Sequence, residues 1–151
     1  MNVIIGSDHG GFDLKEEIRR FLSEKGEHIV KDIGIFNHDP VDYPIIAHEV
    51  GKSISEERFN RGILVCGSGI GMSIVANRQR NVRAALCHNL YTVRLSREHN
   101  DANILVLGGR VLGLGLALEM VDLFLTTDFE GGRHQRRLEE IDNITNAPET
   151  D

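Results

Sequence analysis

Apolar residues fall in short runs, and between the runs they recur every three or four positions. Val3-Ile4-Ile5-Gly6 is the first run, and it ends in the loop Ser7-Asp8-His9-Gly10-Gly11. Leu14, Ile18, Phe21 and Leu22 then sit at i, i+4, i+7 and i+8, one face of a helix that Gly26 stops. Residues 28–33 read as the second strand. A loop over 34–43 leads to a second helix marked by Ile46, Val50 and Ile54, with Asp42 at its N-cap and Pro44 at N1. Gly62-Ile63-Leu64-Val65-Cys66 is apolar on both faces, the signature of a parallel strand covered on both sides. Gly67-Ser68-Gly69-Ile70-Gly71 turns the chain into a third helix, expected to run through Arg78. Residues 82–87 form the fourth strand and 90–98 a short helix. Ile104-Leu105-Val106-Leu107 is the fifth strand, closed by Gly108-Gly109. Leu114, Leu118, Val121 and Leu125 carry a fifth helix that is apolar almost all round, so the pattern predicts a buried one. A last helix starts near Gly132-Arg133 with Leu138 and Ile141 on one face, and 146–151 reads as a frayed end.

Five strands alternating with helices predict an α/β fold. The expected architecture is a three-layer α/β/α sandwich with a five-stranded parallel, Rossmann-like sheet, in one domain over residues 1–151. Ligands of such sheets bind at the carboxyl ends of the strands, at a switch point. Those ends are Ser7-Asp8-His9, Cys66-Gly67-Ser68-Gly69, Cys87-His88 and Gly108-Gly109-Arg110.

Composition narrows the function classes. A chain of 151 residues is one domain by length and can build its own core. A net charge of −6 and 5% aromatic residues without Trp argue against a nucleic-acid or membrane-surface binder. No apolar run approaches the ~20 residues of a membrane span. The first residues lack the basic region and cleavage site of a signal peptide. Cys66 and Cys87 lie inside apolar stretches, which suits reduced thiols in the cytoplasm. The charge is uneven. Seven Arg and no Asp, Glu or Lys occupy 58–97, a net of +7 that leaves −13 for the remainder of a chain totalling −6. Either a small anion is held locally, or solvated arginines are scattered over several elements.

Common motifs fail on spacing. The glycine run at 67–71 is G-x-G-x-G, not the dinucleotide G-x-G-x-x-G, and no acid follows until Glu98, which weakens an NAD-linked oxidoreductase. No Lys follows Lys52, which excludes a P-loop there. A nucleophile elbow at Ser68 would need Gly at 66 and 70, where Cys66 and Ile70 stand, and no metal-binding set or cofactor motif is evident.

The remaining residues still carry chemistry. Successive glycines after a buried strand let backbone N–H groups converge on an anion, or simply make a tight turn. Cys66 ends that strand just before a helix start, a place that favours a reactive thiolate; the alternative is an inert core Cys, the stronger reading for Cys87. Asp8-His9 can bind a sugar hydroxyl or phosphate, or cap its own turn. His99-Asn100 precedes strand five and offers an imidazole able to move protons near neutral pH. Arg133 and Arg137 are four apart on one helix face, a candidate phosphate clamp or partners of Glu139 and Glu140.

Taken in order, these pieces resemble the ribose-5-phosphate isomerase type B family, shared with galactose-6-phosphate isomerase subunits. The resemblance is carried by Gly6-Ser7-Asp8-His9-Gly10-Gly11, Asp42-Tyr43-Pro44 and Cys66-Gly67-Ser68-Gly69-Ile70-Gly71. It continues through 95–103, Gly108-Gly109-Arg110 and Glu130-Gly131-Gly132-Arg133-His134-Gln135-Arg136-Arg137, up to about Ile144. It implies a metal-independent, cofactor-free aldose–ketose isomerase, working as a homodimer or dimer of dimers with sites shared between subunits. Under the resemblance Cys66 is the base and His99 opens the furanose ring, with Asp8, Tyr43 and Ser68 assisting. Gly67, Gly69, Ile70 and Gly71 belong to the backbone cradle, His9, Arg110, Arg133 and Arg137 hold phosphate and substrate, and Asn100 contacts a hydroxyl. Some members use a Glu a few residues after the Cys position; here 72–77 has no acid, so the chain is of the thiol-base type. The helix over about 133–146 is expected to reach a partner subunit. Galactose-6-phosphate or allose-6-phosphate isomerisation and a non-catalytic phosphate- or nucleotide-binding module are the alternatives.

Overall fold

The three most apolar strands form the centre of the sheet. In the structure, a computed structural model that describes residues 1–146, β1 (Asn2–Ser7), β3 (Arg61–Cys66) and β5 (Ile104–Gly108) lie side by side. β2 (Ile29–Asp32) and the short β4 (Ala84–Leu86) are the edges, giving the all-parallel order β2-β1-β3-β5-β4. Ile5, Ile63 and Leu105 are in register across the centre, as are Gly6, Leu64 and Val106, and all but Gly6 bring buried apolar side chains to the two faces.

Helices cover both faces, as a parallel sheet requires. α1 (Phe12–Lys25), α4 (Leu90–Glu98) and α5 (Leu114–Thr126) bury Leu14, Ile18, Val93, Met120 and Phe124 against Val3, Ile63, Leu105 and Leu107. α2 (Tyr43–Ser55) and α3 (Ile70–Ala76) bury Ala47, Val50, Met72 and Ala76 against Ile4, Leu64 and Val106. α6 is Arg133–Asn146. Gly26 ends α1 in the left-handed region at φ 67°. Among the described residues no helix is long and apolar enough to cross a membrane.

Two expectations change. α3 stops at Ala76 instead of continuing to Arg78, because Asn77 caps it. The Asn77 amide donates to the carbonyls of Ser73 and Ala84 and accepts from the Ala84 N–H, which ties the helix end to β4 and leaves β4 only three residues. α5 is buried on one face only, with Leu114 and Leu116 exposed at 44% and 37%. Asp42 stands at the N-cap of α2 as expected, its carbonyl accepting from Ile45 N–H. The frayed end expected over 146–151 lies, beyond Asn146, outside the described residues.

Candidate active site

Three loops meet where β1, β3 and β5 end. Asp8 is buried; its N–H donates to the Val65 carbonyl and its Oδ1 accepts from Gly11 N–H at 3.0 Å. Gly11 is packed onto β3 so closely that a Cβ there would stand 2.2 Å from the Val65 carbonyl oxygen. Gly109 N–H and Arg110 N–H donate to the carbonyls of Cys66 and Gly67, which locks the β5 loop to the β3 loop.

Cys66 is the last residue of β3 and only 4% exposed. Gly69 donates its N–H to Cys66 Sγ at 3.1 Å, the bond that a thiolate would strengthen. Reaching back in this way puts Gly69 at φ 82°, open to glycine at little cost. Around this sulfur the structure gathers most of the expected residues. Ser68 accepts the Ile70 N–H on its Oγ at 3.3 Å. The Arg110 guanidinium lies over Gly67, with Nη1 3.7 Å from where a Cβ would be. Tyr43, first residue of α2, presses on Gly71, its hydroxyl 2.9 Å from the corresponding Cβ position. His9 is exposed, and its Nδ1 accepts from Val41 N–H at 3.4 Å. Cys87 lies on the other face of the sheet, and burial pushes its thiol pKa up.

His99, Asn100, Arg133 and Arg137 are elsewhere. α4 runs back from the carboxyl end of β4, so His99, its C-cap, lies at the amino end of β5. The five residues of β5 separate the two ends, roughly 16 Å of strand. Buried Arg97 organises this second region. Its Nη1 donates to Asp101 Oδ1 at 2.8 Å and to the Ala102 carbonyl at 2.6 Å, and its Nε to the Thr127 carbonyl at 3.1 Å. Glu130 N–H donates to the Glu98 carbonyl, so the segment after α5 is stitched to the end of α4. This brings buried His134 of α6 under His99, the rings stacked with centroids 4.0 Å apart and planes within 10°. Burial lowers the His134 pKa, helped by the nearby His99, Arg133 and Arg137 and opposed by Glu130. Arg133 and Arg137 are exposed on α6, and Asn100 lines a cavity of about 370 Å³ with Asn77, Arg80, Arg83 and Leu138.

The sequence pattern did not single out Arg97, Glu130 or His134. Arg97 had a signal: it follows Val93 by four positions, a charge on the apolar face of α4. The arginine-rich stretch does not converge on one point, since Arg97 and Arg83 share Asp101 and Arg58 pairs with Glu49 and Glu56. His99, Glu130 and His134 form a possible metal-donor set, with ligand atoms within 4.8 Å of one another, assembled from segments too far apart in sequence to suggest it. An imidazole holds a metal in its own ring plane, and two near-parallel stacked rings share no such plane. The set as it stands does not fit one ion.

Fold and comparison together define the class. The chain belongs to the Ribose/Galactose Isomerase family, whose model matches residues 3–141, and it is an enzyme of the isomerase class. It is 44% identical over 142 residues to ribose-5-phosphate isomerase B of Escherichia coli, covering 94% of this chain and 95% of that one. A solved structure of ribose-5-phosphate isomerase B from Clostridium thermocellum superimposes with a TM-score of 0.93 at 49% identity, over 96% of this chain and 97% of that one. D-erythrulose-4-phosphate isomerase of Pectobacterium atrosepticum is 37% identical over 145 residues, 93% of each chain.

Proposed function

We infer that the chain interconverts ribose 5-phosphate and ribulose 5-phosphate through an enediolate, in the non-oxidative branch of the pentose phosphate pathway, in the cytoplasm. The observation that carries this reading is the Cys66 sulfur at the end of β3, held by the Gly69 N–H of the glycine-rich turn into α3. His99 opens the furanose ring by moving the proton of the anomeric hydroxyl to the ring oxygen. Cys66, as thiolate, takes the C2 proton and returns it to C1. The negative charge passes to the enediolate oxygens, where N–H groups over 67–71 meet it; one such donor is typically worth about 3 kcal/mol of barrier. Asp8, Tyr43 and Ser68 assist at these oxygens. His9, Arg110, Arg133 and Arg137 hold the phosphate and Asn100 a hydroxyl, so remote binding energy orients C1 and C2. The reaction as written moves protons only and calls for neither metal nor redox cofactor.

The two residue sets sit at opposite ends of the strands, so they act together only if two copies of the chain face each other. A homodimer with two shared sites is therefore part of the proposal, with Ile45, Ile70 and Ile74, exposed near Cys66, as apolar contact surface. A second substrate reading has its own support, since the family includes galactose isomerases and the Pectobacterium relative is named for a four-carbon sugar phosphate. The test is kcat/KM across ribose 5-phosphate, allose 6-phosphate, galactose 6-phosphate and D-erythrulose 4-phosphate on the purified protein. Ribose 5-phosphate should lead, and a higher value for any other would overturn the assignment.

A further inference from the structure

We propose that His134 is a positioning residue for His99: its imidazole is the floor on which the His99 ring lies, and it fixes the plane in which His99 passes protons. The inference rests on the reading of His99 as the ring-opening group.

The stack joins a fixed ring to an accessible one. His134 is 5% exposed, whereas His99 is only partly buried. His134 is held by its own backbone, whose N–H donates to the Gly131 carbonyl at 3.0 Å. Its ring is held by Arg133, whose Nε donates to His134 Nε2 at 3.4 Å. A guanidinium can only donate, so Nε2 carries a lone pair and the ring proton is on Nδ1. His134 is thus a neutral imidazole, and Glu130 Oε2, 3.6 Å from the same nitrogen, accepts no proton from it. The other charged groups around the ring are His99 on α4 and Arg137 on α6, and both favour the neutral form. A neutral, buried ring does not take the proton that His99 must carry. It offers a flat face instead, which removes the torsional freedom of a side chain at a helix end. Orientation of this kind is a large part of what an active site supplies.

The test is a double-mutant cycle on kcat for ribose 5-phosphate, using His134→Ala, His134→Phe, His99→Asn and the double variant His99→Asn/His134→Ala. His134→Ala should lower kcat about tenfold or more, because the reacting ring is no longer oriented. KM should change far less than kcat, since the variant removes one bond to Arg133 and leaves His9, Arg110 and Arg137 in place. His134→Phe keeps a flat ring and should restore most of the rate. In the His99→Asn background the same Ala change should cost less than about twofold, because its effect passes through His99. Losses that multiply in the double variant, an unchanged kcat in His134→Ala, or a Phe variant as slow as Ala would each overturn the proposal. If His99→Asn itself keeps the wild-type rate, the ring-opening reading fails. If His99→Asn is slow while His134→Ala is not, that reading stands and only the positioning role falls.

Discussion

The two ends of the sheet are built in opposite ways. At the carboxyl end the backbone does the positioning: Gly69 N–H holds the Cys66 sulfur, and the Gly109 and Arg110 N–H groups close neighbouring carbonyls. At the amino end the site is in side chains, His99, His134, Arg133 and Arg137, brought together by one buried arginine and a single backbone bond between Glu130 and Glu98. A backbone site is fixed once its strands pair. A side-chain site depends on how distant segments dock, so it is the half more exposed to disturbance.

Disabling each end separately has the largest expected effect. Cys66→Ala should lower kcat by about 100- to 10,000-fold, the usual range for losing a general base, with KM nearly unchanged. Arg137→Ala should instead raise KM strongly. Mixed and allowed to exchange subunits, the two variants should regain partial activity, since one hybrid site carries both residues. Continued inactivity despite demonstrated exchange would mean that the ends do not meet across subunits. Cys87→Ala is the control from the other face; it should cost about 1 kcal/mol of stability and leave turnover alone.

Next in size is the stitching of the amino end. Arg97→Ala leaves the Ala102 and Thr127 carbonyls without their donor and should destabilise the fold by about 3 kcal/mol, measured by urea unfolding. Arg97→Lys should recover only part of this, because an ammonium does not reproduce the fork that spans Asp101 and Thr127. Equal stability of the two variants would show that charge, not geometry, holds the region.

The smallest effect is a pH dependence. The His134 pKa is lowered from 6.5, chiefly by burial. The unfolded chain then binds a proton that the folded one resists, so this contribution is complete above about pH 6.5 and is lost as pH falls toward the folded value. The melting temperature of the wild type should drop more between pH 7 and 5.5 than that of His134→Phe. Parallel curves would show that His134 titrates freely.

The same contrast explains what could be read from the sequence. Val3-Ile4-Ile5 and Ile63-Leu64-Val65 announce themselves as covered parallel strands, and the glycines after Cys66 announce a turn, because both are local properties. The place of His99 ahead of β5 was also readable. Its meeting with His134 was not, since that depends on Arg97 reaching the Thr127 carbonyl thirty residues away. Helix lengths failed for similar reasons. Asn77 ends α3 by bonding to Ala84, a contact that no helical period encodes.

The close approach of Gly11 to the Val65 carbonyl has an evolutionary consequence. A methyl group at 11 would force the first loop off the third strand, and one at 109 would meet the Gly10 carbonyl at 2.8 Å. Neither position touches the reacting atoms, yet neither can drift, because the only smaller substituent is hydrogen. A mutational scan read by folding, not by turnover, should therefore find narrower tolerance at these silent glycines than at the exposed arginines. Descendants of this chain can change their substrate far more easily than the spacing of the loops that receive it.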